Sequence, residues 1–93
     1  MWKIELLPSA QNEFDALSDA VRDEALAIFS ELAEDPFMET AAPMRGHRNH
    51  FRVRFYRDRF RIIFRLSHSQ RKVIVIRIRS RNAATYKGFE VIG

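Results

Sequence analysis

Thirteen basic residues lie between Arg45 and Arg81, and all but Lys72 are arginine. Many recur at a spacing of two: Arg52 and Arg54, Arg59 and Arg61, then Arg77, Arg79 and Arg81. On a β-strand that spacing puts side chains on one face, and neighbouring strands lie about 5 Å apart. Guanidinium groups would then crowd into a patch whose self-repulsion only an anion relieves. Their planar forks suit phosphate oxygens, whereas solubility alone gives no reason to prefer arginine to lysine. The chemistry indicated is phosphate binding, with RNA or DNA as the usual polyanion. Positioned guanidinium groups also stabilise a dianionic phosphorane in a water-poor site. Arginine is a poor proton carrier at neutral pH, whereas imidazole exchanges protons in that range. His47 and His50, just ahead of Arg52, are therefore the candidates for proton transfer, His50 foremost. His68, in a polar turn, is read as inert.

Other chemistries lack their residues. The chain has no cysteine, so thiol catalysis and disulfides are excluded, which suits a reducing compartment. No metal is expected: His47 and His50 have no cysteine beside them, and residues 45–57 contain no acidic group. There is no Gly-rich phosphate loop and no expected cofactor. The charge is strongly divided. Residues 1–44 carry two basic groups against ten acidic ones, net −8, while residues 45–93 carry fourteen against two, net +12. No apolar run reaches the roughly 20 residues of a membrane span, so a cytoplasmic protein away from membranes is expected.

The elements that would position these groups are legible from periodicity. With 93 residues, a single domain over 1–93 is expected. Residues 2–7 alternate as a strand, and Pro8-Ser9 opens a helix carrying Ala10, Phe14 and Leu17. Ser18-Asp19 caps a second helix, whose apolar stripe is Val21, Ala25, Ile28, Phe29 and Leu32. Asp35-Pro36 ends it. The pair forms an αα-hairpin with an acidic outer face, lacking paired carboxylates near the basic segment. Residues 37–48 read as a connection, and beyond them the period drops to two. Phe51, Val53 and Phe55 form one apolar set; Phe60, Ile62, Phe64 and Leu66 the next; Ile74, Ile76 and Ile78 the third. The expected fold is α+β: an N-terminal strand, an αα-hairpin and a three-stranded antiparallel meander, the helices packing on one face of a four-stranded sheet. Arg52, Arg54, Arg61, Arg65, Arg77 and Arg79 would project from the other face, with Arg61 mid-strand at the centre. Arg77 and Arg79 meet the acidic helices only if the last strand faces the opposite way. Arg57 and Arg59 flank a turn and are read as solvated.

This order of elements resembles the RelE/ParE superfamily of bacterial toxins from type II toxin–antitoxin modules. Pro43-Met44-Arg45-Gly46 is similar to the family's L-[KR]-G ahead of the second strand. Phe51-Arg52-Val53-Arg54-Phe55 is similar to its alternating basic strand, and Asp58-Arg59-Phe60-Arg61-Ile62-Ile63-Phe64 to its [YF]-R-[ILV]-[ILV]-[YF] run. Val75-Ile76-Arg77-Ile78-Arg79-Ser80-Arg81, followed by Tyr86, resembles the closing strand and tail. The resemblance covers nearly the whole chain.

It implies two activities within the superfamily. RelE-like members cleave mRNA, often in the ribosomal A site; ParE-like members act on DNA gyrase. The nuclease set falls on Arg52, Arg54, Arg61, Arg81 and Tyr86, which favours a metal-independent mRNA endoribonuclease using the substrate 2′-hydroxyl. In that reading Arg61 and Arg81 stabilise the phosphorane and Tyr86 stacks on a base. Arg45, His47, Arg65, Arg77 and Arg79 contact the RNA. Many relatives carry lysine at the positions of Arg52 and Arg54, a departure that directs proton transfer to His50. The alternatives are a ParE-like gyrase inhibitor and a non-catalytic RNA-binding relative. A cognate antitoxin is implied as partner, with mRNA and the ribosome, and a toxin–antitoxin heterotetramer is compatible with it. Arg61→Ala is expected to abolish activity and leave the fold intact.

Overall fold

The computed structural model describes residues 1–80; Arg81 and Tyr86 lie outside them. The chain forms β1 (Lys3–Leu6), α1 (Pro8–Asp15), α2 (Asp19–Glu34), β2 (Ala41–Pro43), β3 (His50–Phe55), β4 (Phe60–Ser67) and β5 (Lys72–Ser80). These strands make one five-stranded sheet in the order β1-β5-β4-β3-β2. β1 runs parallel to β5 and every other pair is antiparallel. The α+β class agrees with the sequence reading, but the strand count is five rather than four. The additional strand is β2, within the segment expected to be a plain connection. Its Ala-Ala-Pro sequence has no strand propensity of its own, and pairing with β3 holds it in place.

The helices begin and end where chain chemistry requires. Pro8 sits in the first turn of α1, where its missing N–H costs nothing. Ser18 occupies the N-cap of α2, although its side chain makes no capping bond. α2 buries Val21, Ala25, Ile28, Phe29 and Leu32, the stripe read from the sequence. These side chains and Ala10 pack on Val53, Phe55, Ile62, Phe64, Leu66, Val73, Val75 and Ile78 of the sheet. No helix among the described residues is long and apolar enough to cross a membrane.

β5 corrects one expectation. Its inward residues are Val73 and Val75, then Ile78, not Ile74, Ile76 and Ile78. The ladder to β4 shifts between Ile63 and Phe64: Phe64 opposes Val75, Ile63 opposes Arg77, and Ile76 is left as the extra residue. A one-residue bulge reverses the facing of everything beyond it. Arg77 and Arg79 are thereby turned away from the helices although Val73 and Val75 face them.

Candidate nucleic-acid interface

Cross-strand register arranges the face turned away from α1 and α2 in three rows. Arg54 opposes Arg61, which opposes Arg79. Next along the strands, Ala42, Arg52, Ile63 and Arg77 lie abreast. In the third row His50 opposes Arg65, which opposes Ile74. Ile63 and Ile74 are fully or almost fully buried yet stand apart from the helix-side cluster. They form an apolar floor beneath the long stems of the neighbouring arginines. Six arginines on one face agree with the sequence reading.

Three arginines in direct register repel one another, and two carboxylates offset this. Asp58, in the turn between β3 and β4, places Oδ1 3.1 Å from Arg61 Nη1 and 3.7 Å from Arg54 Nε. Glu13 of α1 places Oε2 2.9 Å from Arg79 Nε, while its Oε1 accepts a 2.9 Å hydrogen bond from the Ile78 backbone N–H. Among the described residues β1 pairs only with residues 72–75 of β5, and beyond them α1 reaches the strand from the side. Arg79 therefore meets an acidic helix without any reversal of its strand. The helical half thus brings a single carboxylate, Glu13, to the basic patch among the described residues.

Arg61 is not mid-strand. It is the second residue of β4, central to its row rather than to its strand, and only 3% exposed. Its Nη1 donates to the carbonyls of Asp58 (2.9 Å) and Phe60 (3.1 Å). The turn beneath it is unusual: Tyr56, Arg57 and Asp58 all have positive φ, at 53°, 56° and 66°. None is glycine, and such conformations cost on the order of 1 kcal/mol each. Arg54 is exposed and shares with Arg52, Thr40 and Ala42 a shallow depression of about 380 Å³. A hydroxyl and two guanidinium groups there suit a phosphate.

The histidines lie elsewhere. His50 belongs to the third row, four residues from Arg54 along β3, a separation of about 13 Å. His50 and Arg61 thus lie in different rows, with Arg61 Nη1 bonded to the Asp58 and Phe60 carbonyls at the turn end of β4. His50 Nδ1 donates to the Arg48 carbonyl at 2.7 Å; a carbonyl only accepts, so in the neutral ring Nε2 is the basic nitrogen. The His47 ring lies 5.7 Å from that of His50, and Arg45 is exposed in the same loop beside Gly46, whose φ is 80°. His68 stacks on Phe37 at 6.1 Å with Trp2 edge-on at 5.8 Å. Arg57 and Arg59 are exposed, as read.

Thr40, Asp58 and Glu13 were missed as part of this face. Asp58 had a signal, being the sole acidic residue between Arg45 and Arg81. Thr40 and Glu13 had none, because their placement depends on β2 pairing and on α1 reaching β5 from the side.

The family model of the ParE toxin of type II toxin–antitoxin systems, parDE, matches residues 4–84. The chain belongs to the ParE toxin family. This toxin shares its fold with solved relatives at low sequence identity. The isolated E. coli RelE toxin superposes with a TM-score of 0.79 at 18% identity, covering 100% of both chains. The toxin chain of the intact E. coli RelBE toxin–antitoxin complex gives 0.80 at 18% identity, over 88% of this toxin and 99% of that chain. A YoeB/ParE toxin from Agrobacterium tumefaciens gives 0.75 at 19%, over 86% and 99%. No curated protein sequence matches the toxin significantly.

Proposed function

We propose that this toxin is a metal-independent mRNA endoribonuclease that binds RNA across its arginine rows, acts at the ribosome, and is neutralised in the cytoplasm by a cognate antitoxin. The observation that carries this reading is the row Arg54–Arg61–Arg79 beside the Arg52–Thr40 depression, which offers adjoining positions for phosphate oxygens. In-line attack by the substrate 2′-hydroxyl, its proton passing to water, forms a 2′,3′-cyclic phosphate and breaks the P–O5′ bond, the leaving 5′-oxygen taking a proton from water, and the transient dianion must be stabilised. Arg61 and Arg54 serve that purpose, and Arg61 is held rigid by its carbonyl contacts, as electrostatic stabilisation requires. Arg81 and Tyr86 complete the set by resemblance, Arg81 adding charge and Tyr86 stacking on a base. Arg52, Arg65, Arg77, Arg45 and His47 steer and hold flanking phosphates. His50, opposite Arg65, is the candidate for proton transfer at a nucleotide lodged in that row. RelBE complexes, whose toxins share this fold, support an antitoxin partner, and an acidic segment would suit the face.

The test is primer extension on a defined mRNA with and without ribosomes, comparing wild type with Arg54→Ala and Arg61→Ala. Burial of Arg61 against two carbonyls makes its alanine variant a stability risk, so the exposed Arg54→Ala carries equal weight. Discrete cuts lost in both folded variants are expected. Uncut RNA throughout, with inhibition of gyrase supercoiling, would instead support the ParE-like alternative.

A further inference from the structure

We propose that Asp58 is a built-in stand-in for a substrate phosphate oxygen, occupying the Arg54–Arg61 clamp until RNA displaces it. The inference rests on the nuclease reading for the identity of the ligand, but the clamp itself is a matter of geometry. One carboxylate oxygen lies between two guanidinium groups, 3.1 Å from Arg61 and 3.7 Å from Arg54. A phosphate oxygen has the same charge sign and the same acceptor geometry, so it fits where Oδ1 sits.

Two observations separate an occupant from a structural prop. Arg61 is held by two backbone carbonyls in addition to the carboxylate. Removing the carboxylate therefore does not release the guanidinium, which would be the consequence if Asp58 served to position it. The carboxylate is also carried on a strained turn at the surface. Tyr56, Arg57 and Asp58 are strung through the left-handed region without a glycine, and Asp58 is 43% exposed. Strain of this kind clusters at active sites, ligand clamps and switch regions. Arg61 is almost fully buried while the carboxylate is in place, so rotation of the Asp58 side chain outward, with its backbone carbonyl left on Arg61, would expose the charge as an anion arrives.

The occupant also explains how three arginines in register are tolerated in the free protein. Without an internal anion the row would destabilise the sheet until substrate bound. With one, the free toxin is stable and the anion site stays closed to weak ligands such as chloride. Binding then exchanges one anion for another, and the carboxylate lowers affinity by the strength of the contact it gives up.

The experiment titrates wild type, Asp58→Asn and Asp58→Gly with inorganic pyrophosphate by isothermal calorimetry, with thermal unfolding to verify the fold. Asparagine and glycine both accept positive φ, so the turn survives either change. Asp23→Asn, on the exposed side of α2, raises the net charge equally and serves as control. Both Asp58 variants are expected to bind pyrophosphate about tenfold more tightly, the factor carried by roughly 1.4 kcal/mol, while the control stays within about twofold of wild type. Adding Arg54→Gln to Asp58→Asn should cancel the gain. Unchanged or weaker binding by both Asp58 variants, or an equal gain in Asp23→Asn, overturns the proposal. RNA cleavage is read separately on the same proteins. A pyrophosphate gain without cleavage by any form leaves the clamp standing and removes the nuclease reading; cleavage by wild type without the gain does the reverse.

Discussion

Glu13 performs two tasks with one carboxylate, and the two differ in energetic weight. Its ion pair with Arg79 joins two partly exposed groups, a contact that contributes at most about 1 kcal/mol. Its bond to the Ile78 N–H satisfies a half-buried backbone donor of β5, and an unsatisfied donor there costs roughly 1–3 kcal/mol. Glutamine keeps an oxygen for the N–H and loses only the charge. Glu13→Gln is therefore expected to lower unfolding stability by less than about 1 kcal/mol, and Glu13→Ala by roughly 1–3 kcal/mol, as measured by urea denaturation. Equal losses in the two variants would assign the stabilisation to the charge pair and refute this ranking.

At the level of elements, sequence legibility followed how local the determining interaction is. The stripe of α2 was readable residue by residue because helix periodicity and a single buried face decide it. β3 and the start of β4 were readable for the same reason at a period of two. β5 was half readable. Val73, Ile74, Val75 and Ile76 are all apolar, so alternation could not say which pair faces inward, and the bulge at Ile76 is set by pairing with β4. The arginine rows were legible as a face. Their carboxylate partners were not, because those come from a turn and from a helix remote in sequence. The β3–β4 turn gives a prediction at this scale. Arg57 is exposed with φ of 56°, a conformation that glycine adopts without the Cβ penalty. Arg57→Gly is expected to raise the urea midpoint, corresponding to about 1 kcal/mol less the larger entropy of the unfolded chain. A lower midpoint would mean that the arginine side chain holds the turn.

For the molecule as a whole, charge division and layer structure coincide. The acidic half of the chain supplies the helices, which cover one face of the sheet; the basic half supplies β3, β4 and β5, whose arginines occupy the other. The net charge of +4 understates the field a polyanion meets, because most of the acidic groups sit on the helices, across the sheet from the arginines. Such a field steers a nucleic acid toward the arginine face and repels it from the helices. If RNA is the ligand, binding must release counterions in proportion to the phosphates contacted, with log K falling by about 0.7 per contact for single strands. Six arginines project from the face, and two meet Glu13 or lie buried beside Asp58. Four to six contacts are thus available, for a slope of roughly −3 to −4 in log K against log salt. Fluorescence anisotropy with a 2′-deoxy oligonucleotide, which cannot be cleaved by 2′-hydroxyl attack, measures this slope between 50 and 300 mM salt on the order of the usual working range. A slope near zero would show that the arginine face does not bind nucleic acid through its phosphates. A slope of the expected size that shrinks by about one in Arg54→Ala would place that residue on a phosphate.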